Sequence, residues 1–357
     1  MSIEPTMRAA VLNEPWNLEL VTRSVPRAGR GEVVLKVEAN TLCGTDYRLY
    51  SGAKTAGVLP GVVPGHEIAG RIVDIGEDVD AFLPGAEVGD QATVSIVVSC
   101  GACRNCLADR EHLCRDLELF GYAIDGGLQE YLVVPARAVA RGNVFLTSEE
   151  LDPRALCLAE PISCCLNGID QYRVEPGDTV VVLGAGPIGL LHTQLALAMG
   201  ARQVIVSNRS AGRREAAERL GALALDPTAG DLVAQVRELT AGEGADVVVV
   251  CIGAEDLANQ ALELARDGGR VNYFAGFPKG STSVMEPNLI HYKELSVTGG
   301  SNARRRDVAR AITMLESGAI NVDEIVTHTF PLAQIHDAYQ ALNDRVGVKI
   351  AVLPQAD

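Results

Sequence analysis

The stretch Thr179–Gly189, reading TVVVLGAGPIG, constrains this chain more than any other. Val180 to Leu183 form a short, unbroken apolar run, the pattern of a strand covered on both faces in a parallel sheet. Gly184, Gly186 and Gly189 follow at G-x-G-x-x-G spacing. Pro187 suits the first turn of a helix, where its missing N–H leaves nothing unsatisfied. Ile188, Leu191 and Leu195 then recur at helical spacing until Gly200. A strand, a tight glycine turn and a helix in this order make a dinucleotide site. Gly184 permits the turn, Gly186 lets backbone approach a pyrophosphate, and Gly189 lets the helix pack on the strand. The helix N-terminus turns unpaired N–H groups and the positive end of its dipole toward the phosphates.

A chain of 357 residues has room for two or three domains. Its 47% hydrophobic and 22% charged content is that of a globular protein. The formal charge of -15 argues against a nucleic-acid partner, which needs a basic surface. No apolar run reaches the ~18 residues of a membrane span. The opening MSIEPTMRAAVLNEP lacks the basic start and apolar core of a signal peptide, so a soluble, cytoplasmic protein is expected. In that compartment nine cysteines point to metal or chemistry before disulfides.

The first part of the chain, to about Pro153, reads as short strands between turns: RAAVL, NLELV and EVVLKVEAN, then a succession of Pro and Gly signals. This is the pattern of a β-rich domain. Within it Cys100, Cys103, Cys106 and Cys114 stand at C-x2-C-x2-C-x7-C spacing. Four thiolates in so short a loop suit a closed tetrahedral Zn²⁺ site, with an iron–sulfur cluster as the rival. His112 lies in the same lobe and is expected at the surface. Cys43 in LCGTD and His66 and Glu67 in PGHEIAG are a looser set. By themselves they read as a buried thiol and a hydrogen-bonded imidazole.

Taken together, however, CGTD, PGHEIAG, the four-cysteine lobe, DGGLQEY at Asp125–Tyr131, AEP at Ala159–Pro161 and GAGPIG resemble the zinc-dependent medium-chain alcohol dehydrogenases. The motifs fall in the family's order and cover essentially the whole chain. The resemblance implies a β-rich GroES-like catalytic domain over residues 1–153 and 299–357, with a structural-zinc lobe near 96–116, and a doubly wound Rossmann cofactor domain over 154–298. It implies two Zn²⁺ per chain, a structural one on Cys100, Cys103, Cys106 and Cys114 and a catalytic one on Cys43 and His66. The branch that includes sorbitol, threonine and cyclitol dehydrogenases has a Glu-Pro where other alcohol dehydrogenases place a second cysteine ligand, and Glu160 stands there. In that branch Glu67 can bind the metal while Glu160 sits nearby or exchanges with it, so both are carried as ligands. Three protein ligands keep one position open for an alcohol or carbonyl. A carboxylate ligand in place of a thiolate leaves the ion harder, which favours oxygen-rich substrates.

The resemblance also makes Thr45 the hydroxyl that passes the substrate proton outward. Many relatives carry a histidine five residues after the ligand cysteine, and this chain has Arg48, which stays charged and cannot act as a base. Proton exit beyond Thr45 is then left to ribose hydroxyls, water or a carboxylate, and Arg48 is available for a phosphate or carboxylate of cofactor or substrate. Cys164 and Cys165 are read as packing residues. Relatives are commonly dimers or tetramers, so a homo-oligomer is expected.

Beyond Gly184 strand-like runs alternate with helical ones: QVIVS, ALALD, DVVVV, RVNYF and LSVTG. With Val180–Leu183 they make six strands, as a doubly wound sheet has. An acidic side chain about 20 residues after the glycines usually holds the ribose 2′-OH of NAD. Here Asn208 stands in that place, and Arg209 and Arg213 could neutralise a 2′-phosphate. NADP is favoured, with NAD open because Asn can hydrogen-bond the 2′-OH. Ala275, Gly276 and Phe277, and Gly299 to Ser301, resemble the loops that meet the nicotinamide. Arg304–Arg306 read as a solvated helix start. A helix, a strand and a further helix from Asp307 to Leu342 return to the first domain, with the substrate cleft expected between zinc and cofactor.

The function expected is zinc-dependent hydride transfer between NAD(P) and a secondary alcohol or ketone of a polyol, sugar alcohol or cyclitol. A dehydrogenase for an anionic or threonine-type hydroxyl is the alternative, with a non-catalytic nucleotide and metal sensor behind it.

Overall fold

The computed structural model describes residues 5–148 and 150–356. The chain divides into two units, one of Met1–Ser163, Asn302–Ser317 and Val326–Asp357, the other of Cys164–Ser301 and Gly318–Ile325. Among the described residues no helix is long and apolar enough to cross a membrane.

In the first unit a seven-stranded sheet runs in the order Val326–Pro331, Lys349–Leu353, Val33–Thr41, Glu67–Ile75, Gln91–Val94 and Val144–Leu146, with Tyr131–Val134 also pairing Val33–Thr41. Val33–Thr41 is the hub, and its residues Val33, Val34, Leu35, Val37 and Ala39 are fully buried. Val33, Val34 and Leu35 are all apolar because core clusters pack on both faces, Val34 in one and Val33, Leu35 and Val37 in the other, while the polar Lys36 and Glu38 are only half-buried. Each such side chain contributes roughly 1.5–3 kcal/mol on burial.

The second unit is a six-stranded, wholly parallel sheet in the order Leu223–Leu225, Gln203–Ser207, Thr179–Leu183, Ala245–Val250, Ala265–Tyr273 and Ser296–Gly299. All six strands read from the sequence form. Thr179–Leu183 is buried at every residue, as a central parallel strand must be. Registered pairing sets Leu225, Ser207, Leu183, Val250, Tyr273 and Gly299 in one row across the sheet. The chain therefore leaves every strand on the same edge, where open α/β sheets bind ligands. His192 is a core residue of this unit. Its Nδ1 lies 2.9 Å from the Tyr172 hydroxyl, and burial lowers its pKa to about 3, so the ring is neutral.

Candidate active site and metal centres

The glycine turn has the geometry its spacing predicts. Gly184 has φ +110°, a conformation that strains any residue with a Cβ, and a Cβ there would meet Ile252 Cγ1 at 2.5 Å. At Gly189 a Cβ would collide with the Gly184 carbonyl oxygen. Gly186 is different, because a Cβ would meet only Arg213 Nη1, at 3.5 Å. The protein does not need glycine there for its own packing, which is what backbone left bare for a ligand looks like. Pro187 and Ile188 open the helix Pro187–Ala198, and Gly200, at φ +94°, follows its end.

The other dinucleotide candidates lie just past the same row of strand ends. Asn208 Oδ1 accepts from the Ala185 amide at 3.2 Å, so this side chain braces the glycine turn itself. Its NH2 group makes only a long contact, 3.4 Å to the Ser210 carbonyl. Arg209 is exposed and Arg213 half-buried. Arg214, not singled out from the sequence, holds this loop. Its Nη1 donates to the Asn208 and Arg209 carbonyls at 2.8 and 2.7 Å and lies 3.0 Å from Asp226. Ala275, Gly276 and Phe277 follow Tyr273, and the Gly276 carbonyl lies so close to Gly253 that a Cβ could not fit there. Gly299 ends its strand, and the Ser301 carbonyl accepts from Asn167 Nδ2 at 3.4 Å.

In the first unit, strand pairing assembles the looser set of residues. Thr41, the last residue of Val33–Thr41, pairs with Glu67, the first of Glu67–Ile75. Cys43 lies two residues beyond one end and His66 one residue before the other, so the antiparallel pairing brings them together. Ligand atoms of Cys43, His66 and Glu67 all lie within 4.8 Å of one another. Glu160, near the start of the helix Ala159–Tyr172, is not in that group; it lies close enough to act electrostatically, adding to burial in raising the Tyr122 pKa and to Glu67 in raising that of Lys349 against burial.

Two residues that the sequence reading passed over organise this cluster. Asp46 is fully buried. Its Oδ2 accepts from the Cys43 amide at 2.8 Å and its Oδ1 lies 3.1 Å from His66 Nδ1. One carboxylate thus fixes the backbone of one candidate ligand and the ring of another. It leaves His66 Nε2 for a metal. Burial alone would lower the His66 pKa, but Asp46 and Cys43 outweigh it and raise it well above the usual value. A metal ion must displace that proton. The available sequence signal was the acidic residue three positions after Cys43, where it caps the helix Gly44–Tyr50. The second residue is Lys349, buried, with Nζ 2.8 Å from Glu67 Oε1 and 2.7 Å from Oε2. Thr41 Oγ1 donates to the same carboxylate. Lys349 opens the strand Lys349–Leu353, which pairs with Val33–Thr41 from the other side. No local pattern in the sequence could have linked it to Glu67. Thr45 Oγ1 accepts from Arg48 Nη2 at 2.9 Å.

The cysteine lobe is built locally. Cys103 and Cys106 sulfurs lie 3.5 Å apart, and the pairs Cys100–Cys106 and Cys103–Cys114 are 3.9 Å apart, with no disulfide. Tetrahedral Zn–S bonds of about 2.3 Å place sulfurs about 3.8 Å apart, so the four fit a zinc ion. Backbone amides point at the sulfurs, among them Cys103 N to Cys100 at 3.3 Å and Asp116 N to Cys114 at 3.4 Å. Such donation lowers the Cys103 pKa to about 6, while burial pushes Cys114 up to about 11. Two expectations fail beside this lobe. His112 is buried, not at the surface, and burial and Arg304 lower its pKa. Arg304 is likewise buried, because it forms a two-point ion pair with Asp307 at 2.7 and 2.9 Å instead of a solvated helix start. The Glu111 carboxylate accepts from the Arg305 amide at 2.9 Å, so the lobe caps the helix Arg305–Glu316.

Residues 29–143 match the alcohol dehydrogenase GroES-like domain and residues 187–317 the zinc-binding dehydrogenase domain. The chain belongs to the zinc-dependent medium-chain alcohol dehydrogenase family. It is 36% identical to the L-threonine 3-dehydrogenase of Pyrococcus furiosus, over 88% of each chain. It is 33% identical to the L-galactonate-5-dehydrogenase of Escherichia coli, over 96% of this chain and 98% of that one. It is 32% identical to the erythritol/L-threitol dehydrogenase of Mycolicibacterium smegmatis, over 98% of each. A zinc-binding dehydrogenase from Sinorhizobium meliloti, solved bound to NADP, superposes with a TM-score of 0.91 at 34% identity, covering 98% of this chain and 100% of that one. The chain is therefore a zinc-dependent, NAD(P)-dependent oxidoreductase acting on a small-molecule alcohol or ketone.

Proposed function

We propose that the protein oxidises a secondary hydroxyl of a polyol-type substrate to a ketone, with NADP⁺ favoured as hydride acceptor. The alcohol carbon gives up hydride to the nicotinamide, the hydroxyl gives up a proton, and ketone, reduced cofactor and H⁺ result. The observation that carries this reading is the convergence of Cys43, His66 and Glu67 within 4.8 Å, braced by a buried Asp46. When bound, zinc supplies Lewis acidity and the nicotinamide accepts the hydride. The chain's own part is to hold and orient. Cys43 and His66 bind the metal, Glu67 or Glu160 completes the set, and Asp46 keeps the His66 ring aligned. Thr45 relays the hydroxyl proton, receiving it as its own proton passes outward to a ribose hydroxyl, water or a carboxylate. Lys349 neutralises Glu67, which suits that carboxylate to a weak or exchanging ligand.

In this reading the unit containing Cys43 is catalytic, and the unit containing Gly184–Gly189 binds the dinucleotide and carries the 2′-phosphate determinants Asn208, Arg209 and Arg213. The cysteine lobe carries the structural zinc. The named activities of the relatives, on sugar acids, tetritols and threonine, support an oxygen-rich substrate. A cytoplasmic homo-oligomer fits the same reading. The test is turnover of a panel of polyols, cyclitols and threonine with NAD⁺ and NADP⁺, before and after chelation. Oxidation of a panel member that stops on metal removal and returns with Zn²⁺ is expected, and absence of any zinc-dependent turnover overturns the proposal. Asn208→Asp places a carboxylate against the 2′-phosphate and is expected to shift the NADP/NAD preference toward NAD by about tenfold or more. An unchanged ratio of kcat/KM values removes Asn208 from the specificity argument.

A further inference from the structure

Two cations border the candidate metal site without a carboxylate partner. Arg48 is exposed, and its guanidinium donates to the Thr45 hydroxyl. Lys54 is half-buried, donates to the Tyr122 hydroxyl at 3.1 Å and stands 4.8 Å from the centre of that ring. The Tyr122 ring in turn lies 6.0 Å from the His66 ring. The two cations are tied together, since the Lys54 amide donates to the Arg48 carbonyl at 2.9 Å.

This is anomalous for a chain with 46 acidic and 31 basic residues. Elsewhere arginines find carboxylates readily, as in Arg219–Glu324, Arg270–Asp178 and Arg304–Asp307. Among the described residues neither Arg48 nor Lys54 is in an ion pair. Keeping them side by side is unfavourable: burial, then the Arg48 charge, lowers the Lys54 pKa. A divalent metal nearby adds to the repulsion. Even with Cys43, Asp46, Glu67 and Glu160 all counted as anions, Zn²⁺ with Lys349, Arg48 and Lys54 leaves the neighbourhood positive. Surplus positive charge with unused donors, one on a hydroxyl-linked guanidinium and one on a desolvated ammonium, is the chemistry of a carboxylate receptor.

We infer that Arg48 and Lys54 bind the carboxylate of an anionic polyol, so that the hydroxyl oxidised belongs to a sugar acid rather than to a neutral alditol. The inference rests on the proposed dehydrogenase reading and narrows its substrate class. Because Arg48 is bonded to Thr45, the anion is anchored beside the hydroxyl assigned to relay the reacting proton.

The test pairs each hexonate with the hexitol that carries CH₂OH in place of its carboxylate: galactonate against galactitol, and gluconate against glucitol. Cofactor-loaded enzyme is assayed for kcat/KM, and binding is followed by calorimetry. At least one hexonate is expected to exceed its hexitol by about tenfold or more. Lys54→Met and Arg48→Gln should each lower that hexonate-to-hexitol ratio about 10- to 100-fold and raise the hexonate Kd in step. Lys54→Arg should restore most of it. Hexitols turned over as well as hexonates, or variants that leave the ratio unmoved, overturn the inference. So does loss of NADP⁺ affinity in place of hexonate affinity, which assigns the two cations to a cofactor phosphate. If neither class is oxidised the dehydrogenase reading fails, and the calorimetric comparison of wild type with Lys54→Met still decides the carboxylate site.

Discussion

The two metal clusters of the first unit are made in opposite ways. The cysteine lobe draws its four sulfurs from a span of 15 residues, Cys100 to Cys114, and its backbone amides are donated by the same loop. The Cys43 cluster draws on three separate strands, which end or begin at Thr41, Glu67 and Lys349. Its donors are mixed, and the buried carboxylates beside it are each held, Asp46 by the Cys43 amide and the His66 ring and Glu67 by Lys349. A local site of identical soft ligands can close on a metal and stabilise a loop. A site hung between strands can hold an open coordination position, because the sheet and its buried ion pairs keep the ligands apart without the metal's help. In the proposed reading, that difference separates a structural role from a catalytic one.

Substitution should expose that contrast most strongly at Cys43. Cys43→Ala removes a candidate ligand from a site the protein scaffolds by other means. Turnover is expected to fall by at least about a thousandfold, while the dinucleotide still binds in fluorescence titration. Turnover near that of wild type would remove Cys43 from the metal. Lys349→Met comes next. It leaves Glu67 buried without its cation, which destabilises by about 3–5 kcal/mol, read as a lower urea midpoint. Adding Glu67→Gln should recover much of that loss. A single-variant effect below about 1 kcal/mol would mean that Thr41 suffices to hold the carboxylate. Cys103→Ser breaks the other cluster. One of two zinc ions per chain should disappear from elemental analysis. Tm should fall by roughly 4–10 °C, for a loss of about 2–3 kcal/mol. Initial rates at low temperature should survive. If activity instead vanished at once, the division of roles would be wrong.

How much of this was legible beforehand follows the same divide. The C-x2-C-x2-C-x7-C lobe and the glycine turn are local, so spacing alone carried them, and the six strands of the parallel sheet announced themselves as apolar runs between turn signals. Cys43 with His66 became legible only through a family resemblance, since their meeting depends on the pairing of Thr41 with Glu67, which no periodicity records. Lys349 was out of reach because it is 282 residues from Glu67 in the chain. His112 and Arg304 were misjudged for a related reason: polar residues read as exposed, but here they are buried where the cysteine lobe meets the helix Arg305–Glu316.

Asp46 gives the finest discrimination between the clusters, because among the described residues no carboxylate bridges two cysteines of the lobe in this way. Its carboxylate touches no candidate metal position in this arrangement; it grips the Cys43 amide and the His66 ring. Asp46→Asn keeps the shape and a hydrogen-bond acceptor but removes the charge that makes His66 Nε2 a stronger donor to a metal. The catalytic ion should then bind about 10- to 100-fold more weakly in competition with a chromogenic chelator, while the lobe retains its zinc. The kcat of fully metal-loaded enzyme should fall less than the affinity does, since the ligands themselves remain. If both zinc ions weakened together, Asp46 would be supporting the whole unit rather than this one cluster. If neither did, the orientation of His66 would have to come from the strand pairing alone.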